Sequence, residues 1–374
     1  MLVAPNAFKG SLTAGDAARA LARGARKSIR PFPQIRLCPL ADGGDDTLEV
    51  LSRVFGARPR RARVTGPLGR PLQALWAYAP RRRLAVIEMA RASGLALVPP
   101  SSRNPEKTTA FGTGELLRAA LDAGARTVYL ALGGSATVDG GLGILQALGA
   151  TIFVRAGNGL APLSRPFLGG DFSRLASLDV EGLDPRLKKI RLFLLTDVRN
   201  PLLGAGGAAR VFGPQKGATP AQVHRLEKGL ALLERWTGKG AGPGSGAAGG
   251  VAAGLVPWAG ARVLPGAPFV FDVVNLERNV RWADVVLTGE GRLDETSFGG
   301  KTVGGLVTLC RREKKILAIF AGSVTPGARR RGDRLGAAVV PLAPGLSTRR
   351  AMARAGVLLE SAAANYFMGR VRRG

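Results

Sequence analysis

Short apolar runs alternate along the chain with longer amphipathic stretches, and polar, glycine-rich segments fall at the junctions. Residues 2–8 and 35–40 have the length and composition of buried strands; each leads through a polar loop into a helical pattern, at 14–28 and 46–54. Thr13, with Asp16 three residues on, has the spacing of a capping box and marks the first helix start. Strand, loop and helix in that order predict parallel strands joined by right-handed crossovers. From 64 to 90 the rhythm changes to short strands separated by turns, as in antiparallel pairing. A strand at 128–132 leads through a glycine-rich turn into a helix at 142–148, whereas 155–187 carry no clear pattern. Another strand follows at 191–195, and Thr219-Pro220 opens a helix to about Trp236. Strands at 284–288, 316–321 and 337–341 restore the βαβ rhythm, with a loop at 289–294 and a closing helix at 348–367.

The chain therefore reads as α/β. A Rossmann-like, doubly wound parallel-sheet domain of residues 1–65 and 283–374 is interrupted by a second, inserted α/β domain over 66–282. A cleft between two such domains is the default ligand site, and ligands of parallel sheets gather outside the carboxyl ends of the strands.

Composition narrows the class. A chain of 374 residues suits two domains, and 46% apolar content with no uninterrupted apolar run near 18 residues argues against a membrane-spanning segment and a membrane partner. The first residues read as a strand and lack the pattern of a secretory signal, so the cytoplasm is the default location. Cys38 and Cys310 lie far apart, offer no metal-ligand spacing, and suit a reducing compartment. The formal charge of +28 raises nucleic acid as a partner. However, the arginines fall in scattered groups, at 58–63, 81–83 and 329–331, with no helix-turn-helix, zinc-finger or RNP-type motif beside them. The charge is read as surface composition with some non-specific polyanion affinity; no specific nucleic-acid partner is expected. Monomer and homodimer both stay open.

Two motif matches fail on context. Residues 244–249 fit the dinucleotide fingerprint letter for letter but follow no strand, and Gly300-Lys301-Thr302 ends like a P-loop whose required glycine is Glu295. His224, the one histidine, sits in a polar helix, which argues against a Ser-His-Asp triad or a His-ligated zinc. What remains is a set of carboxylates, lysines and glycine loops at predicted strand ends: Lys9, Asp42, Asp139, Asp197, Lys216, Glu290, Asp294 and Lys301. The turn at 133–141 adds Gly133, Gly134, Ser135 and Thr137, which suit a phosphate or carboxylate at a helix start. Loop carboxylates for a hard cation, lysines for phosphate charge and N–H cradles are the parts of a phosphoryl-transfer site. Asp197, held at a strand end, is placed to accept a substrate hydroxyl proton, with Asp42 as the next candidate.

Seven stretches together resemble the type 1 family of bacterial glycerate kinases. They are Ala4-Pro5-Asn6-Ala7-Phe8-Lys9-Gly10-Ser11, Ala41-Asp42-Gly43-Gly44, Gly112-Thr113-Gly114-Glu115, residues 133–141, residues 197–204, residues 212–219 and Thr288-Gly289-Glu290-Gly291-Arg292-Leu293-Asp294, in the family's order. Asn6, Asp45 and Val138 depart from its commonest residues. The resemblance implies an ATP- and Mg²⁺-dependent kinase that converts D-glycerate to 2-phosphoglycerate, with the 3-phosphate, and other small hydroxy or sugar acids, as alternatives. A basic nucleic-acid-binding protein is the alternative of a different class. In this reading Asp197, Lys9 and Asp42 are catalytic. Ser11, Gly133, Gly134, Ser135, Thr137, Asp139, Asn200 and Lys216 bind substrate or phosphate, and Gly289, Glu290, Asp294 and Lys301 bind nucleotide or metal, with Glu290 and Asp294 as Mg²⁺ ligands. Which loop takes ATP and which takes glycerate is left open.

Overall fold

The structure, a computed structural model, describes residues 1–238, 242–342 and 344–371. It divides into two compact units, one formed by Met1–Asp42 with the segment from Ala267 onward, the other by Gly43–Gly266. The divides expected at 65/66 and 282/283 thus fall instead at 42/43 and 266/267. Residues 43–65 go with the inserted unit because strand Arg58–Thr65 pairs along its whole length with Pro71–Ala79, and helix Thr47–Phe55 packs on Pro71–Ala79 and Leu84–Glu88. Residues 267–282 go with the other unit: helix Leu276–Trp282 packs on Thr302–Arg312, whose Gly305 lies against the Phe271 ring.

The first unit is a five-stranded parallel sheet in the order Ala337–Pro341, Ile316–Val324, Val285–Leu293, Leu2–Val3, Arg36–Leu37. One face carries Val3, Leu287, Ala318 and Phe320 into a core shared with Ala17, Leu21 and Ala25 of helix Ala14–Ser28 and Leu359 and Ala363 of helix Ala355–Val371. Alternation along the strands turns Val286, Leu317 and Ile319 to the opposite face, and helix Thr302–Arg312 packs on strands Val285–Leu293 and Ile316–Val324. The first two strands are shorter than their apolar runs because Pro5 and Pro39 donate no ladder bond. Cys38 N–H still reaches Val3 O (2.8 Å) and Leu40 N–H reaches Pro5 O (2.9 Å), so the chain keeps its course past the regular pairing.

The second unit is built on a six-stranded sheet in which Arg262–Leu264, Arg191–Leu195, Thr127–Ala131 and Leu84–Glu88 are parallel and Pro71–Ala79 and Arg58–Thr65 continue antiparallel. Ala85, Ile87, Val128, Leu130, Leu192 and Leu194 share one core with Leu116, Leu117 and Leu121 of helix Phe111–Asp122 and Ile144 and Leu145 of helix Leu142–Ala147. Tyr129 stacks between Phe55 and Phe193, with centroids 5.5 and 5.3 Å away.

Three local expectations are corrected. Residues 155–187 are not irregular throughout: Thr151–Ala156, Gly159–Pro162 and Leu175–Asp179 form a three-stranded antiparallel sheet, signalled by the Gly157-Asn158 turn and by Ile152 and Val154 on the buried face. Residues 289–293 are strand, not loop, because their pairing with Ile316–Val324 runs on through Glu290↔Ala321 to Leu293↔Val324. Glycine permits this at Gly289, where a Cβ would strike the Phe320 carbonyl. The closing helix breaks into Thr348–Ala353 and Ala355–Val371.

Candidate active site

In the first unit, Asn6, Asp42, Glu290, Asp294 and Lys301 line one cavity of about 180 Å³ together with Arg292, Thr296, Ser297, Thr302 and Val303. Asn6 and Asp42 follow the carboxyl ends of strands Leu2–Val3 and Arg36–Leu37, and Glu290 lies in the last turn of pleat of strand Val285–Leu293. Asn6 Oδ1 accepts from its neighbour's N–H at Ala7 (2.8 Å) while Nδ2 donates to Thr302 Oγ1 (3.3 Å), which fixes the amide in the cavity wall. Asp294 caps the short helix Glu295–Phe298 by accepting from Thr296 N–H (3.0 Å) and Thr296 Oγ1 (2.6 Å).

The cavity offers both signs of charge. Glu290 Oε1 is buried with no hydrogen-bond partner. Burial pushes the Glu290 carboxyl up to about 7, with Asp294 and Asp42 adding to the rise and a hydrogen bond from Ser297 and the Lys301 charge opposing it. An orphaned carboxylate oxygen among other carboxylates is a place for a cation. Beside it, helix Thr302–Arg312 begins with no side-chain cap and with Lys301 at its N-cap position, which leaves first-turn N–H groups and a cation for an anion. Among the described residues no three His, Cys, Asp or Glu side chains cluster as a metal-ligand set. A site with one or two carboxylates is the kind at which a hard cation completes its shell with phosphate oxygens and water.

In the second unit the segment after strand Thr127–Ala131 interlocks with Gly43-Gly44 and with the end of strand Arg191–Leu195. Gly133 N–H donates to Gly43 O (2.9 Å) and Leu132 N–H to Leu195 O (3.1 Å). A Cβ at 133 would run into Gly44 Cα, so the contact requires glycine. Lys216, 3% exposed at the end of the short helix Pro214–Lys216, donates from Nζ to Ser135 Oγ (2.9 Å) and Thr137 O (2.6 Å). Burial lowers its pKa to about 7, against the opposing pull of Asp139. Asp139 is fully buried and accepts from Ala110 N–H (2.8 Å) and Gly141 N–H (3.2 Å), tying the loop to the start of helix Phe111–Asp122. Burial raises its carboxyl to about 6. Thr137 Oγ1 is buried without a partner. Asp197, half-buried, sits in a turn that Thr196 Oγ1 pins by accepting from Val198 N–H (3.1 Å).

The profile of the glycerate kinase family matches residues 1–369. The chain belongs to the glycerate kinase family. It is 40% identical over 372 residues to a glycerate kinase of Halalkalibacterium halodurans, covering 98% of this chain and 96% of that one. It is 41% identical over 331 residues to the glycerate 2-kinase of Escherichia coli K12, covering 87% and 85%. A solved structure from Salmonella typhimurium LT2 that carries the provisional name glycerate kinase 2 superposes with a TM-score of 0.77 at 36% identity, over 100% of this chain and 98% of that one.

For this glycerate kinase family member the candidate residues divide between the units. Lys9, Ser11, Asp42, Gly289, Glu290, Asp294 and Lys301 lie in the first; Gly133, Gly134, Ser135, Thr137, Asp139, Asp197, Asn200 and Lys216 lie in the second. Some are engaged locally: Ser11 Oγ donates to Phe8 O (2.9 Å), and Asn200 Nδ2 to Gly206 O (2.7 Å) across its own turn. Lys9 is exposed in the tight Phe8–Leu12 turn, which lies against Gly291. His224 is exposed. Sequence reasoning missed Asn6 as a wall of the cavity, although it stood inside a quoted motif. It also missed Glu88, buried at the end of its strand, whose oxygens accept from Leu48 N–H (2.8 Å) and Arg91 Nε (2.8 Å). A carboxylate closing the apolar run Leu84–Ile87 was the available signal.

Proposed function

We propose that this chain transfers the γ-phosphoryl group of ATP to the 2-hydroxyl of D-glycerate. The substrate comes from the relatives' names, and the observation that carries the chemistry is the first unit's cavity, where an orphaned Glu290 oxygen faces the same space as an uncapped helix start and Lys301. A cavity of about 180 Å³ is smaller than the roughly 300–1,000 Å³ that encloses a drug-sized ligand, so it suits the phosphates and not the whole nucleotide. Glu290 and Asp42 would hold Mg²⁺ there, with Asp294 contributing Oδ2 while its Oδ1 caps the helix Glu295–Phe298. The Mg²⁺, when bound, neutralises phosphate charge.

The second unit supplies the groups for the acid. Ser135 and Lys216 suit its anionic end, and Asp197, held by its pinned turn, suits the role of acceptor for a hydroxyl proton. Lys9, carried on the hydrogen-bonded Phe8–Leu12 turn, adds positive charge for the phosphates.

A coupled assay of ADP formation, with D-glycerate and with other hydroxy acids, tests the activity. ADP formation that depends on D-glycerate supports it; turnover with another acid alone overturns the substrate; no turnover with any acid, together with tight, salt-sensitive DNA binding, overturns the class. Phosphorus NMR of the product separates the 2-phosphate from the 3-phosphate.

A further inference from the structure

The second unit holds a cation that the reading above does not use. Arg103 follows the short helix Pro100–Ser102, and its Nε is buried without a hydrogen-bond partner. Among the described residues its guanidinium makes no hydrogen bond or ion pair. The buried charges Glu88, Asp171 and Lys216 of this unit are provided for: Glu88 has Leu48 N–H and Arg91, Asp171 has Arg165 and Arg174, and Lys216 has Ser135 and Thr137. Arg103 is half-buried as a residue, and it is Nε that has lost water without gaining an acceptor, which costs free energy unless something else supplies one.

Its position says what that is. The Arg103 main chain abuts Gly217, the residue after Lys216, so closely that a Cβ on Gly217 would meet the Arg103 carbonyl and stand 2.8 Å from Arg103 Cβ. Five residues on, Thr108 Oγ1 donates to Ala136 O (3.0 Å), so this segment lies along the loop that carries Ser135 and Thr137. That neighbourhood already contains the unpartnered Thr137 hydroxyl and a Lys216 ammonium with two of its three donors spent. The buried Asp139 carboxylate, whose charge acts on Lys216, is already engaged by Ala110 N–H and Gly141 N–H, so Arg103 Nε and the Thr137 hydroxyl are groups left without partners here.

We propose that Arg103 recognises the carboxylate of the acid substrate, its planar fork taking the two oxygens, beside Lys216. The inference rests on the proposed function and extends it by naming a residue that selects acids over uncharged polyols. Carboxylate is favoured over phosphate because a fork matches a planar pair of oxygens, whereas Lys301 and the open helix start of the first unit already suit phosphate.

Steady-state kinetics of Arg103→Gln and Arg103→Lys, with D-glycerate, ATP and glycerol varied separately, test it. Loss of a bidentate charged contact is expected to raise the KM for D-glycerate about tenfold or more in Arg103→Gln, with the KM for ATP within about twofold. Arg103→Lys should fall between that variant and the parent, and the preference for D-glycerate over glycerol should shrink in both. Calorimetric titration of D-glycerate into each variant should show the same order of affinity. An unchanged glycerate KM, or a rise confined to ATP, overturns the assignment. If Arg103→Gln does not fold, Arg103→Lys, which keeps stem and charge, decides alone by the same two readings. Failure of the parent enzyme to use D-glycerate overturns the proposed function and this inference with it; normal parent turnover with unaltered variants overturns the inference alone.

Discussion

Lys216 puts a measurable pH dependence into the stability of the second unit. Its ammonium is 3% exposed, and burial lowers its pKa from 10.5 to about 7. The unfolded chain then binds a proton that the folded chain does not between those values, so the folded state loses stability as pH falls from about 10.5 to about 7 and little more below that. At about 1.4 kcal/mol per pKa unit, the penalty grows by roughly 3 kcal/mol between about pH 9.5 and pH 6.5. Lys216→Met removes the charge while keeping most of the stem. It also strands Ser135 Oγ and Thr137 O, which now accept from Nζ, at a pH-independent cost of about 1–3 kcal/mol. Asp139, already raised by burial to about 6, loses an attractive charge and rises further, so roughly 3 kcal/mol is a ceiling on the swing. The variant should therefore be less stable than the parent at about pH 9.5 and level with it, or more stable, at about pH 6.5. Urea denaturation followed by tryptophan emission in a Trp282→Phe background measures this in the relevant unit, because Trp76, Trp236 and Trp258 lie there and Trp282 lies in the other. A difference between variant and parent that stays constant with pH, or grows as pH falls, would refute the account of Lys216 as a desolvated lysine.

Asp197→Asn should lower kcat by at least about a hundredfold with an unchanged melting temperature; near-normal turnover at saturating Mg²⁺ would remove Asp197 from the base role and pass it to Asp42. Glu290→Gln should raise the Mg²⁺ concentration for half-maximal rate about tenfold or more, and an unaltered Mg²⁺ titration would exclude Glu290 as a ligand. Glu88→Gln exchanges the charged acceptor of Arg91 and Leu48 N–H for a neutral amide and should cost about 1–3 kcal/mol in urea denaturation; no loss would show that the pair contributes nothing to the loop that begins at Gly43.

Much of this protein is local in origin. The helix start at Thr13 follows from a side chain that accepts from Asp16 N–H (3.0 Å) three residues on. The strand Arg191–Leu195 and the helix Pro220–Thr237 follow from periodicity and a capping box, interactions between near neighbours that any reading of the chain can find. The seven motifs, legible for the same reason, carried the family. Tertiary structure decided the rest, through distances the sequence does not express. Residues 289–293 stay in a strand because the partner Ile316–Val324 continues beside them, a fact about another segment. Residues 43–65 join the inserted unit because Pro71–Ala79 offers them a partner strand. Lys216 acquires its lowered pKa from burial at a position where it meets Ser135, 81 residues away in sequence. Glu290 and Arg103 carry unmet hydrogen-bonding capacity only because packing removed solvent from Oε1 and Nε. Sequence supplies the groups and the local turns that hold them, whereas desolvation, which sets their charge and their need for a ligand, depends on every segment that folds over them.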